Sequence, residues 1–195
     1  MFTGIISHRG LFRGYRHGKQ EMFLTASSLF SKMKEGESLA VNGVCLSLVK
    51  KEKSLLYFNL SEETLKKSTL GLLHPSDNLN LELPLTLSQP LSGHLVTGHI
   101  DAVGKVLNIK TKRNGKRFSI SFPSQLKPFF IQKGSVALDG VSLTVADLSP
   151  PSFDVEIIPI TLKNTNINDW KRGRAVNIEC DIIGKYVYNY SVEQK

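Results

Sequence analysis

Little in this 195-residue chain invites metal or redox chemistry. Cysteine occurs twice, as Cys45 and Cys180, and two thiols alone make neither a disulfide framework nor a structural zinc site. Histidine and cysteine are not grouped at ligand spacing, and there is neither a phosphate-binding glycine loop nor a dinucleotide fingerprint. No metal and no cofactor are therefore expected. No apolar run approaches the roughly 20 residues of a membrane helix. The opening MFTGIISHRG lacks the apolar stretch of a signal peptide. The expectation is a soluble, cytoplasmic protein with no membrane partner. At 41% hydrophobic and 22% charged, the composition argues against disorder.

Acidic residues are the scarcer charge, 17 against 25 basic, for a net +8. Such a balance raises the question of a nucleic-acid partner. The basic residues gather at 50–53, 66–67, 110–117 and 171–174, mostly among turn-forming residues. No aromatic interleaving accompanies them, so they read as solvated loops, and no nucleic-acid partner is expected.

What the chain does have is an internal repeat. Residues 38–48, SLAVNGVCLSL, return at 135–145 as SVALDGVSLTV, with Gly43 recurring as Gly140, an offset of 97 (140 − 43). Thr64-Leu65 returns as Thr161-Leu162, and Asn80-Leu81-Glu82 as Asn177-Ile178-Glu179. Near the start the offset is 94, because Thr3-Gly4 returns as Thr97-Gly98, so the second copy carries three extra residues early. Units of about ninety residues are too long for a solenoid and read as two homologous domains. The domains are expected at 1–90 and 91–183, followed by a tail at 184–195; Pro84, Pro90 and Gly93 mark the linker.

Within each copy, strand patterns dominate. Arg117 to Phe122 alternates with Phe118, Ile120 and Phe122 on one face, and 176–180 and 79–83 alternate likewise. Asn114-Gly115 and His17-Gly18-Lys19 suit hairpin turns. Short helices are expected after Ser27 or Ser28, after Ser124, and following Thr64-Leu65 and Thr161-Leu162. Two all-β domains with short helical plugs, each closed into a barrel to hide its edges, follow from this pattern. Ile183, Val187 and Tyr190 form an apolar stripe at helical spacing, suited to packing on another surface.

The segments MFTGI, NGVCLSL, LSGHLVTGHID, KGSVALDGVSLTV, PITL and VNIECDIIGKY, in this order on a 97-residue repeat, resemble the riboflavin synthase family over essentially the whole chain. That resemblance implies an all-β fold of two homologous six-stranded antiparallel Greek-key barrels with short helices and a short C-terminal helix. It implies a cofactor-independent transferase that dismutates 6,7-dimethyl-8-ribityllumazine to riboflavin and 5-amino-6-ribitylamino-pyrimidinedione. It also implies a homotrimer with sites between subunits, and it allows association with lumazine synthase. The rival reading is a lumazine- or flavin-binding protein without turnover.

The resemblance further implies two ligand sites. The first is expected to be lined by Gly4, Ile5 and Ile6, by Cys45, Leu46 and Ser47, and by Asn59, Leu60, Ser61, Glu62, Glu63 and Thr64. The second is expected to be lined by Gly98, His99 and Ile100, by Ser142, Leu143 and Thr144, and by Glu156, Ile157, Ile158, Pro159, Ile160 and Thr161, with Lys133 near by. Catalytic candidates are His99, Ser142, Thr144, Cys45, Asp139 and Asp181. Between copies, His99 replaces Ile5, Lys133 replaces Gly36, Asp139 replaces Asn42 and Ser142 replaces Cys45. The bias suggests that the C-terminal barrel does the activating chemistry while the N-terminal barrel holds its substrate. Ser47 stands where the family usually has threonine, Ile160 where many members have a polar residue, and the tail past Tyr190 is short.

Overall fold

The computed structural model describes residues 1–194, and the repeat appears in it as two barrels. The first contains β1 (His8–Arg16), β2 (Glu21–Thr25), β3 (Ser38–Val41), β4 (Val44–Glu52), β5 (Leu55–Asn59) and β6 (Asn78–Glu82). They close in the order β1-β2-β5-β4-β3-β6, every pair antiparallel. The second contains β7 (Ala102–Lys112), β8 (Gly115–Ser121), β9 (Ser135–Leu138), β10 (Val141–Ser149), β11 (Ser152–Ile157) and β12 (Ala175–Cys180), closed in the same cyclic order. Closure leaves no free sheet edge in either domain.

The repeat extends to irregularities. A bulge between Phe12 and Gly14 in β1 recurs between Val106 and Asn108 in β7, at the 94-residue offset. One between Leu48 and Lys50 in β4 recurs between Val145 and Asp147 in β10, at the 97-residue offset. One residue of the change enters between β2 and β3, since Met22 answers to Phe118 at an offset of 96 (118 − 22), and the other two enter in the first hairpin of each barrel. There, residues 17–19 all adopt positive φ in one copy, while Gly115 alone does so after Asn114 in the other.

Alternation fills each barrel. Phe12, Met22, Leu24, Leu56 and Phe58 point into the first, and Phe118, Ile120, Val136, Val155 and Ile178 into the second, all fully buried or nearly so. Each such side chain contributes roughly 1.5–3 kcal/mol of transfer free energy. Short helices plug the ends: α1 (Ser27–Phe30), α2 (Glu62–Lys67), α3 (Pro159–Asn164) and several 3-10 turns. The expected serine cap of α1 is not used, since the position before it is Ala26 without a side-chain cap. The segment after Ser124 is a 3-10 helix, because Pro128 cannot donate an interior hydrogen bond. α2 and α3 contain Thr64-Leu65 and Thr161-Leu162 instead of following them. The tail forms α4 (Ile182–Glu193), started by Asp181, whose carboxylate accepts from Ile183 N–H at 3.0 Å.

The polar residues of β6 and β12 do not face water. Asn80, Glu82, Asn177 and Glu179 are buried, because that face of each strand meets the other barrel. Two-fold-related bonds cross the boundary. Asn80 Nδ2 donates to Asp139 O (2.9 Å) and Asn177 Nδ2 to Asn42 O (2.8 Å). Asn166 N–H donates to Asn80 Oδ1 and Thr69 N–H to Asn177 Oδ1, each at 2.7 Å. Gly43 and Gly140 touch on the axis; a Cβ on Gly43 would lie 2.6 Å from the Gly140 nitrogen. Side chains at this crossing would push the barrels apart.

Candidate functional site

Two extended straps run along the domain boundary before each barrel begins. Residues 1–7 form one and 91–101 the other. They pair antiparallel to each other, with Phe2 N–H to Val96 O at 2.7 Å and Val96 N–H to Phe2 O at 3.1 Å. Phe2 and Val96 are buried there with Ala40 and Ala137. Each strap then turns at a Thr-Gly pair whose glycine has positive φ, +76° at Gly4 and +84° at Gly98.

Beyond the turn each strap docks on the opposite barrel. Gly98 O accepts from Cys45 N–H at 2.9 Å, and Gly4 O accepts from Ser142 N–H at 2.8 Å. Ile100 packs on the core of the first barrel and Ile6 on that of the second. The sites are therefore assembled crosswise, and the expected grouping of Gly4, Ile5 and Ile6 with Cys45, and of Gly98, His99 and Ile100 with Ser142, is corrected. The repeat alignment could not anticipate this, because it matches positions in two copies without saying which copy a strap touches.

The best-defined pocket on this boundary has a volume of about 270 Å³. Its base is Val44 and Cys45 of β4; one wall is Gly98, His99 and Ile100 of the incoming strap. The other is α2 along its length, from its cap Ser61 through Glu63 and Thr64 to Lys67 and Ser68. α2 forms there because Ser61 Oγ accepts from Thr64 N–H at 3.0 Å, acids occupy the first turn and lysines the last. Cys45 is half-buried and lines the pocket. Val44, Lys67 and Ser68 were not expected from the sequence. Lys67 and Ser68 lie one helical turn past Glu63 and Thr64, and helical periodicity from the Ser61 cap was the signal for them.

His99 thus belongs to the Cys45 pocket, beside Glu63 and Lys67. At the corresponding positions of the second barrel stand Ile5, Ser142, Ile160 and Asn164. The titratable side chains converge on the first barrel's pocket, opposite to the bias expected from the sequence. On the second barrel, Ser142 Oγ meets His94 Nδ1 at 2.7 Å, and Gly93 approaches closely enough that a Cβ there would lie 3.1 Å from that oxygen. His94 is 8% exposed, and its Nε2 has no hydrogen-bond partner among the described residues. Burial holds its imidazole below the ordinary value, with Asp181 pulling the other way. His94, in contact with the candidate Ser142, was not expected from the sequence.

Several other candidates lie elsewhere. Leu46, Leu60 and Ile157 are core residues. Leu143 packs on the second core, and Ser47 and Thr144 are exposed on their strands. Asn59 and Glu62 line a neighbouring hollow with His17 and Gln20, shared with Ser61. Glu156 is drawn to Arg117 on the outer wall (3.2 Å). Ile158, Pro159, Ile160 and Thr161 form the exposed or half-exposed approach and first turn of α3. Lys133 occupies a left-handed turn position, its N–H on Val145 O. Asp181 caps α4. Asp139 is fully buried between the barrels, accepting from Asn177 N–H at 2.8 Å, out of reach of any ligand in the pocket.

The lumazine binding domain family matches residues 3–84 and again 97–181. Riboflavin synthase of Actinobacillus pleuropneumoniae is 36% identical over 196 residues, covering 100% of this chain and 91% of that protein. Riboflavin synthase of Bacillus subtilis is 33% identical over 192 residues, covering 97% and 89%. Among solved structures, LumP complexed with riboflavin superposes with a TM-score of 0.84 over 92% of this chain and 99% of that one, at 21% identity, a likeness of fold. With two lumazine-binding repeats and full-length relatives of this kind, the chain belongs to the riboflavin synthase family.

Proposed function

We propose that the protein is a riboflavin synthase that dismutates two molecules of 6,7-dimethyl-8-ribityllumazine. One lumazine loses a proton from its C7 methyl, and its ring delocalises the resulting carbanion. The other accepts a nucleophile at C7 and is attacked. A four-carbon unit passes between them, giving riboflavin and 5-amino-6-ribitylamino-pyrimidinedione. The equation balances without an oxidant or reductant, so the class is that of a cofactor-independent transferase. The observation that carries this reading is the doubled strap contact, Gly98 on Cys45 and Gly4 on Ser142, at equivalent positions of the two barrels of a chain in the riboflavin synthase family. Holding two flat rings in a reactive geometry can supply up to roughly 7–11 kcal/mol of the barrier.

In this reading Cys45, His99, Glu63 and Lys67 surround one lumazine, and Ser142, Thr161 and Ile5 face the other. The two rings meet when the first barrel of one subunit stacks on the second barrel of its neighbour, in a trimer assembled through α4. Ile183, Tyr186, Val187 and Tyr190 are all more than half exposed on that helix, which supports the use of α4 as a contact. The test is to incubate the purified protein with the lumazine alone and quantify substrate and products by chromatography. Two lumazines consumed for each riboflavin and each pyrimidine is the expected result. Lumazine bound but unchanged would replace the enzyme with a carrier.

A further inference from the structure

Two buried carboxylates, Glu179 and Glu82, hold the turns of the two straps, and Glu82 also borders a hollow lined by Thr3 and Ile5. Glu179 Oε1 accepts from Thr97 N–H (2.6 Å) and Thr97 Oγ1 (2.7 Å), and its Oε2 from Gly98 N–H (3.0 Å). Glu82 does the same for the other strap: Thr3 N–H and Thr3 Oγ1 at 2.7 Å, Gly4 N–H at 3.0 Å. Burial raises both carboxyls above the ordinary glutamate value, and the donated hydrogen bonds oppose it. Neither carboxylate lines the Cys45 pocket. Their hydrogen-bonding capacity goes into fixing a Thr-Gly turn, and each turn delivers its strap to the opposite barrel.

We infer that Glu179 and Glu82 are crossed positioning residues: each sets the ligand-facing wall of the barrel to which it does not belong. Glu179 is the last glutamate of the second barrel, but the turn it holds places Gly98 O on Cys45 N–H and His99 in the first-barrel pocket. Glu82 is in the first barrel, but its turn places Gly4 O on Ser142 N–H. Both carboxylate oxygens are needed, because the turn presents donors on both sides. Glutamine in the same space would set an NH₂ group against one of them, leaving two donors facing each other. The identity of the ligand rests on the reading above; the crossed geometry does not.

Cys45 is a reporter for one pocket. The residue is half-buried and lines the pocket, while Cys180 is 1% exposed with its thiol pushed upward by burial, so a disulfide reagent such as DTNB should read Cys45 in the folded protein. In ligand-free protein, Glu179→Gln should speed Cys45 labelling by about threefold or more, as loss of one charge-assisted bond frees the strap, and Glu82→Gln should leave it within about twofold. The 6,7-dimethyl-8-ribityllumazine concentration that protects Cys45 should rise about tenfold in Glu179→Gln and stay within about twofold in Glu82→Gln. If a glutamine variant does not fold, Thr97→Val and Thr3→Val each remove the hydroxyl's bond to its glutamate and the bond it accepts from the amide two residues on, while keeping the carboxylate on the backbone donors, and should show the same crossed pattern. Equal effects of the two strap variants on Cys45, or none from either, would overturn the inference. Failure of lumazine to protect Cys45 in the unaltered protein would sink the ligand reading alone, and the ligand-free labelling rates would still decide the crossed one.

Discussion

Gly98 lies against Cys45 so closely that a Cβ added to the glycine would fall 2.5 Å from the Cβ of the cysteine. Gly98→Ala therefore incurs two penalties, a left-handed backbone and a collision with β4. Gly173 shares the backbone, at φ +88°, but has nothing within 4 Å of its would-be Cβ. Gly173→Ala should cost about 1–2 kcal/mol, the left-handed term alone. Gly98→Ala should cost clearly more and should abolish lumazine protection of Cys45. Denaturant titration of both variants checks this; equal losses would show that the strap moves away from β4 without resistance.

On the second barrel, where Gly4 makes the equivalent contact with Ser142, the serine also meets His94 through its side chain. Ser142→Ala takes away the partner of Nδ1 and leaves a buried ring with neither nitrogen paired. The expected loss is about 1–3 kcal/mol, with Ser142→Thr keeping most of it. Because burial depresses the His94 pKa below 6.5, its contribution is complete above that pH and is lost as pH falls and the unfolded chain takes up the proton first. The cost of Ser142→Ala should be measured by denaturant titration at pH 7.5. A loss below about 0.5 kcal/mol would mean that the ring turns out to water at no cost.

His99 and Cys45 line one pocket, whereas Ser142 is on the other barrel. In lumazine binding, His99→Ala and Cys45→Ser should therefore be non-additive, with a coupling of about 0.5 kcal/mol or more, while His99→Ala and Ser142→Ala should add. Calorimetric titration of the singles and doubles gives both cycles. Coupling to Ser142 instead would return His99 to the second site.

The exposed apolar face of α4 makes its own prediction. Val187→Asp should shift the protein toward monomer in sedimentation velocity and lower turnover in proportion, because the second lumazine then has no neighbouring barrel. Unchanged sedimentation would remove α4 from the assembly.

Much of the fold could be read from residues. Alternation in 117–122 identified a strand, and Asn114-Gly115 its hairpin, because both depend on neighbours in sequence. The crosswise straps could not be read, since Thr3-Gly4 and Thr97-Gly98 make their contacts with Glu82, Glu179, Ser142 and Cys45, all more than 40 residues away. The same blindness hid the burial of the polar faces of β6 and β12, though their alternation marked both as strands. Asn80, Glu82, Asn177 and Glu179 have the pattern of a solvated face, and only the second barrel converts that face into an interior. His94 escaped notice because burial and a single bond to Ser142, not its spacing, set it apart. Asp139 attracted attention as a charge absent from the first copy, and the structure explains that difference by the domain boundary, not by the pocket.

Asp139 is a charged member of the inter-barrel polar cluster, where the first copy has Asn42. Its carboxyl is raised from 3.8 to about 6, chiefly by burial, against the opposing pull of Asn177 N–H, Arg174, Asn166 and Trp170. A carboxyl whose folded pKa is raised contributes stability that is full below its unfolded pKa of 3.8 and is lost as pH rises through about 6. At pH 7.5 the ionised, desolvated group should make the wild type less stable, by up to about 3 kcal/mol, than its own protonated form would be. Asp139→Asn does not titrate, and it restores the residue of the first copy. The stability difference between wild type and Asp139→Asn should therefore move against the wild type as pH rises from 4.5 to 7.5. Thermal melts of both proteins across that range measure it. A difference that moved toward the wild type would mean that Arg174 and Trp170 hold Asp139 as a carboxylate strongly enough to outweigh its burial, and that the charge was placed there to bind the two barrels together.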